Sequence, residues 1–111
     1  MRTLPIKQTT SDTATSTANA AVSITYAALA GLAHALHSLI VSYSGGTASG
    51  ELKIEDGAGT TVFSVVLPAA GVYVIPFPAP LMGNKNTAMV ITLAAGGTSV
   101  IGKINAQHLV A

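Results

Sequence analysis

Turn signals built on glycine recur about every dozen residues through most of the chain and separate short runs rich in valine, isoleucine and threonine. Glycine adopts the positive φ angles that tight β-turns need, and β-branched residues favour extended backbone. This pattern predicts an all-β protein. The predicted strands span residues 20–27, 33–44, 50–56, 60–67, 71–77, 87–94 and 98–108.

The run 51–55 has the clearest strand pattern. Leu52 and Ile54 alternate with charged residues, which is typical of a strand with one buried and one wet face. The turn sequence DGAG that follows predicts a hairpin. We expect the buried row to continue in the next run, through Phe63, Val65 and Leu67.

Two segments are less regular. Pro76, Pro78 and Pro80 remove backbone donors at alternate positions, so we expect this segment to end a strand and cross a sheet edge. Leucines at helical spacing over residues 27–40 allow a helix there, but the alternation and β-branched residues on either side favour a strand.

The fold class follows from the number of short strands. An eighth strand over residues 3–7 is an additional candidate, and seven or eight antiparallel strands predict a β-sandwich of the jelly-roll type. Residues 8–18 are almost all threonine, serine and alanine, and they bury too little to order alone. We therefore predict an N-terminal arm over residues 1–19 and a sandwich domain over 20–111. The arm is either a disordered terminus or a segment that orders against a partner.

Charge is scarce in this chain. Half of its 111 residues are apolar, but it has five lysines and arginines against four acids, for a net charge of +1, whereas about a quarter of a typical domain is charged. The scattered cations form no basic stripe, so we expect no nucleic-acid partner. The N-terminus lacks the apolar region of a signal peptide, and polar residues interrupt the candidate membrane segment 20–41. We expect no membrane partner.

Few residues could carry catalysis or bind a metal. Glu51 and Glu55 belong to one solvated strand face, where four residues span about 13 Å without forming a cleft. His34 and His37 share a face only on a helix, and the chain has no cysteine. We expect these histidines, with His108, to pack or form hydrogen bonds at a surface or subunit contact. We therefore expect no metal, no cofactor and no enzymatic activity.

Several ordered blocks between residues 20 and 108 resemble small structural proteins of tailed bacteriophages, of the capsid cement or decoration type. The blocks are residues 38–44, 50–57, 75–83, 86–88, 93–97 and 102–105. The resemblance implies a β-sandwich or jelly-roll body, with no catalytic residues. It also implies a homotrimer or dimer on the outer surface of the virion, made in the host cytoplasm, that binds the major capsid protein.

The leading expectation is therefore a homo-oligomeric cement protein that stabilises a capsid shell, because large uncharged surfaces usually mark interfaces. The expected arm contacts are the apolar group Thr3, Leu4, Pro5 and Ile6. The candidate interface residues in the body are His34, His37, Pro76, Phe77 and Pro78. The alternative is a receptor- or carbohydrate-binding module of a phage tail or fibre. A membrane-associated protein built on residues 20–41 is a third, weaker alternative.

Overall fold

The computed structural model describes residues 10–45, 48–57 and 59–110, and within them it contains β-strands and no helix. The strands run antiparallel in every pairing. They are β1 (Thr10–Thr15), β2 (Val22–Tyr26), β3 (His34–Tyr43), β4 (Gly50–Asp56), β5 (Thr61–Leu67), β6 (Gly71–Met82), β7 (Met89–Leu93) and β8 (Gly102–Val110).

The strands form two four-stranded sheets, one in the order β1-β8-β3-β6 and the other in the order β2-β7-β4-β5. Strand β1 pairs with β8, β2 with β7, β3 with β6 and β4 with β5. This nesting is that of one long hairpin rolled into two sheets, which is the jelly-roll arrangement. The predicted fold class is confirmed.

The core lies between the two sheets. Alternate residues of the central strands point inward, and Leu52, Ile54, Ile91 and Leu93 are completely buried, as predicted for the first two. The other core residues of the central strands are Leu36, Leu39, Val41, Tyr43, Met89, Ile104 and Ala106.

Each of the seven predicted runs overlaps one strand of the structure, and β6 and β8 continue beyond the predicted ends. The leucine-rich segment 27–40 forms a loop that includes an isolated bridge between Leu29 and Leu32, followed by β3, so the strand prediction is confirmed over the helix. Within the described residues there is no helix long and apolar enough to cross a membrane. The candidate segment 20–41 instead provides β2, the loop and most of β3.

The eighth strand is Thr10–Thr15, within the predicted arm, and the candidate strand 3–7 lies outside the described residues. Our domain boundary at residue 20 is wrong in this respect, because β1 is part of the sandwich. Residues of this composition become ordered because β8 offers them a complete backbone ladder, from Thr10 opposite His108 to Thr15 opposite Lys103. Backbone hydrogen bonds therefore replace the apolar burial that the segment lacks.

The proline segment does not end a strand, contrary to our expectation, because β6 continues to Met82. It does lie at a sheet edge, where proline is tolerated because one side of the strand has no ladder partner. The pairing shifts there: Ser38 lies opposite Pro76 and Leu36 opposite Leu81, so two residue steps along β3 correspond to five along β6. Pro78 and Pro80 lie between these two positions, where β6 has no partner in the β3 register.

Candidate functional site

The two sheets separate along one side of the sandwich, where β5 and β6 are the edge strands. An apolar groove of about 520 Å³ lies between them. Its walls are inward residues of the two strands, and its rim consists of valines. The lining residues are Phe63, Val65, Val66, Leu67, Val72, Tyr73, Val74 and Ile75. We call this surface the valine edge.

The valine edge is exposed because no further strand covers β5 or β6 in the described structure. Val65 belongs to the predicted inward row but is 37% exposed, while Leu67 in the same row is buried. The outward valines are more exposed still: 63% for Val66, 69% for Val72 and 65% for Val74. The inward row is thus confirmed in direction but only partly in burial. Contiguous exposed apolar surface of this kind makes the valine edge a candidate interaction site.

The sequence around the valine edge carries no formal charge. No aspartate, glutamate, lysine, arginine or histidine occurs from residue 57 to residue 84. An apolar groove without charged groups favours apolar side chains or extended peptide backbone over ions or acidic ligands.

A polar cluster lies elsewhere on the sandwich, where β1, β2, β3 and β8 meet. His34 Nδ1 lies 2.8 Å from His108 Nε2, and His34 Nε2 lies 2.7 Å from the carbonyl oxygen of Ala27. The Tyr26 ring stacks on the His108 ring, with centroids 3.7 Å apart and planes 5° apart. The Tyr26 hydroxyl donates a hydrogen bond of 2.8 Å to Asp12 Oδ2. We call Asp12, Tyr26, His34 and His108 the histidine cluster.

The hydrogen bonds assign the tautomers of His34 and His108 in their neutral forms. The Ala27 carbonyl can only accept, so His34 Nε2 carries the ring proton, and His34 Nδ1 accepts a hydrogen bond from the N–H at His108 Nε2. Burial lowers the pKa of His108, the neighbouring His34 lowers it further, and Asp12 acts in the opposite direction. Burial also raises the pKa of Tyr26 far above its ordinary value, and Asp12 adds to this. The tyrosine therefore remains a hydrogen-bond donor.

A shallow pocket of about 340 Å³ opens beside the histidine cluster. Asp12, Tyr26 and His108 contribute polar and aromatic groups, and Thr10 adds a hydroxyl that donates to Asp12 at 3.1 Å. Leu109 and Val110 complete the lining. Within residues 10–45, 48–57 and 59–110, no group of three or more histidines, cysteines and acids has the arrangement to hold a metal ion.

Asp56, at the end of β4, is buried, unlike Glu51 on the same strand. Its Oδ2 accepts hydrogen bonds from the backbone and side-chain nitrogens of Asn84, at 2.9 and 2.7 Å. This links the β4–β5 hairpin to the loop after β6. Glu51 and Lys53 stay on the outer face, where Lys53 lies 3.9 Å from Glu55. The contacts of Asp56 are structural.

The candidate interface residues do not form one site. His34 is buried in the histidine cluster, whereas His37 is exposed at the pairing irregularity of β3, so the two do not act together. Pro76 and Pro78 are exposed on β6, and Phe77 between them packs edge-to-face on Phe63, with centroids 5.4 Å apart. The candidate arm contacts Thr3, Leu4, Pro5 and Ile6 lie outside the described residues.

Sequence reasoning assembled neither site, although it expected His34 and His108 to pack or form hydrogen bonds. The valine edge had one usable signal, the uncharged stretch from residue 57 to residue 84. The histidine cluster had none, since His34 and His108 are 74 residues apart and meet only through the β3–β8 register.

No protein-family model matches this chain, and no curated protein matches it by sequence. Solved structures do match its fold. The crystal structure of PirA is 11% identical, with 86% of this chain and 92% of that chain covered and a TM-score of 0.53. This likeness supports an all-β sandwich of the same general architecture.

Two carbohydrate-binding modules are more distant in shape. CBM36 in complex with calcium and xylotriose is 14% identical over 93% of this chain and 91% of that one, with a TM-score of 0.39. The CBM36-1 domain of a multidomain xylanase from the hindgut metagenome of Trinervitermes trinervoides is 13% identical, covers 94% and 88%, and has a TM-score of 0.39. At these TM-scores the likeness supports no conclusion about this chain.

Proposed function

We propose that this protein is a non-enzymatic structural protein that assembles with other protein chains through the valine edge. The observation that carries the proposal is the exposure of Val66, Val72 and Val74 beside an apolar groove in a segment without charge. A domain with so much apolar surface at one sheet edge gains stability when that edge is covered.

The resemblance to phage cement and decoration proteins suggests the larger assembly. In this proposal the protein is a homo-oligomer on the outer surface of a bacteriophage capsid, where it binds and stabilises the shell of major capsid protein. The jelly-roll fold is compatible with this role but also occurs in proteins of other functions. Thr3, Leu4, Pro5 and Ile6 stay the proposed contacts with the shell.

Binding to empty capsids of the phage that encodes the protein tests this function. The full chain is mixed with purified capsids and pelleted, and we expect saturable binding and a higher temperature of capsid disassembly. A chain that lacks residues 1–9 leaves β1 intact and is expected to bind more weakly. The proposal is wrong if the full chain neither pellets with capsids nor changes their disassembly.

Carbohydrate binding, on a phage tail or fibre, is the second candidate, and the pocket beside the histidine cluster favours it. Sugars bind where an aromatic ring adjoins hydrogen-bonding groups, and Tyr26, Asp12 and Thr10 supply both here. The likeness to CBM36 does not carry this candidate, because its TM-score is 0.39.

A glycan array probed with the full chain distinguishes the second candidate from the first. Carbohydrate binding predicts a defined set of bound glycans, and an Asp12→Ala variant is expected to lose them. Glu51→Ala, which removes an exposed carboxylate on β4, serves as the control. An array without bound glycans would reject this candidate and leave the capsid experiment unaffected.

A further inference from the structure

Strand β5 is a sheet edge without the usual protection. Natural edge strands avoid association through charged side chains, proline, bulges or a covering segment. Residues Thr61–Leu67 contain neither a charge nor a proline, and in the described structure β5 pairs only with β4. The one irregularity in this pairing lies at the start of the strand, between Thr61 and Phe63.

The neighbouring edge strand differs in this respect. In β6 the residues Pro76, Pro78 and Pro80 lack the backbone N–H that a further ladder would need. Every residue of β5 has a backbone N–H, and seven residues of strand extend about 24 Å. Of the two edge strands at the groove, β5 is therefore the one suited to pair along its whole length.

The charge pattern is compatible with pairing between identical strands. Around a two-fold axis the edge strand faces a copy of itself, so an edge that carried charges of one sign would face the same sign across the axis. The segment from residue 57 to residue 84 contributes none. The nearest charges are Glu51, Lys53 and Glu55 on β4, one strand away. Three strand spacings, about 14 Å, would separate them from their equivalents, which exceeds the Debye length of about 8 Å at physiological salt.

We propose that a second copy of this chain occupies the valine edge, with the two β5 strands antiparallel across a two-fold axis. This inference rests on the proposed function, because it names the partner at the same surface. Pairing would extend the β2-β7-β4-β5 sheet into the second copy, and Val65 and Val66 of each chain would be covered. Ser64 is the central residue of β5, so the axis passes beside it.

The mass of the full chain in solution, measured without capsids, is the first test. We expect two chains per particle at micromolar concentration. Val66→Lys puts a charge on the surface that the second copy would cover, and the cost of burying that charge is expected to weaken dimerisation about tenfold or more. Val66 is exposed, so the variant is expected to fold, which its circular dichroism and thermal unfolding check. Ser23→Lys places the same charge on the exposed surface of β2, at the opposite edge of this sheet, and is the matched control.

Cross-linking tests the register. The chain has no cysteine, so Ser64→Cys introduces a single thiol where opposite Cα atoms lie about 5 Å apart, within the span of a disulfide. We expect oxidation to give a covalent dimer, with Ser23→Cys as the control that does not.

Several outcomes would overturn the inference: a single-chain mass, a three-chain mass, a dimer unaffected by Val66→Lys, or a dimer lost when only residues 1–9 are removed. The last outcome would assign the groove to the N-terminal segment, and a single chain with a small apolar molecule bound would assign it to a ligand. A monomer that still binds capsids would contradict this inference alone. A dimer that binds no capsid would contradict only the proposed function.

Discussion

His34 and His108 share a hydrogen bond of 2.8 Å between Nδ1 and Nε2, although 74 residues separate them in the chain. The bond joins β3 to β8 within one sheet. His34 also contacts Ala27 and His108 stacks on Tyr26, which connects the pair to the end of β2 in the other sheet. Burial and then the neighbouring His34 disfavour the charged form of His108 and so lower its pKa. The cluster therefore makes the folded state sensitive to pH.

Stability is expected to fall in mild acid because of His108. Its pKa in the folded protein lies below the ordinary value of 6.5, chiefly because the ring is buried. Between the two pKa values the unfolded chain binds more protons than the folded one. This contribution to the free energy of unfolding is complete above pH 6.5 and is lost as the pH falls through the folded pKa. Urea unfolding at a series of pH values between about 5 and 8 measures it.

Variants separate His108 from the other histidines. His108→Phe keeps an aromatic ring against Tyr26 but does not titrate, so we expect a weaker dependence on pH. His37→Gln changes an exposed histidine and is expected to follow the original protein. An unchanged acid dependence in His108→Phe would contradict the assignment.

The Tyr26 hydroxyl is expected to stabilise the contact between β1 and β2. Tyr26→Phe keeps the stacked ring and removes the bond of 2.8 Å to Asp12, so it should lower the free energy of unfolding by about 1 kcal/mol. The measurement is chemical unfolding at neutral pH. In an Asp12→Ala background the same substitution should cost much less, and equal costs in both backgrounds would show that the bond contributes nothing.

Asn84 is expected to be needed for the burial of Asp56, which is 5% exposed. Asn84→Ala removes the side-chain donor at 2.7 Å and leaves the carboxylate with the backbone donor of the same residue. We expect a loss of about 1 to 3 kcal/mol in unfolding free energy. Lys85→Ala, in the same loop but exposed, should change stability by less than about 0.5 kcal/mol. Similar losses for the two variants would argue against a specific role.

Two truncations are expected to behave differently. Removal of residues 1–18 deletes β1, which exposes the edge of β8 and breaks the bond between Asp12 and Tyr26. We expect a clear fall in the midpoint of thermal unfolding. Removal of residues 1–9 keeps β1 and should leave this midpoint much closer to that of the full chain. Equal midpoints for both truncations would mean that β1 adds no stability.

The strands were largely predictable because their signals are local. Leu52 and Ile54 are completely buried, as the alternation of residues 51–55 indicates, and the glycine turns separate the strands as expected. Two errors share a different cause. Thr10–Thr15 forms a strand and β6 continues through its prolines because each depends on a neighbour, β8 for the first and the open edge for the second. A local pattern does not contain that neighbour.

The sequence by itself determined the all-β class, the approximate strands and the scarcity of charge, because backbone preference, side-chain alternation and composition are properties of short segments. Only the tertiary structure decided which strands are edges and which side chains meet. It left Val65 exposed although its alternation points inward, and it brought His34 to His108 rather than to His37. Burial and hydrogen bonding depend on sheet order and register, which arise when the whole chain packs.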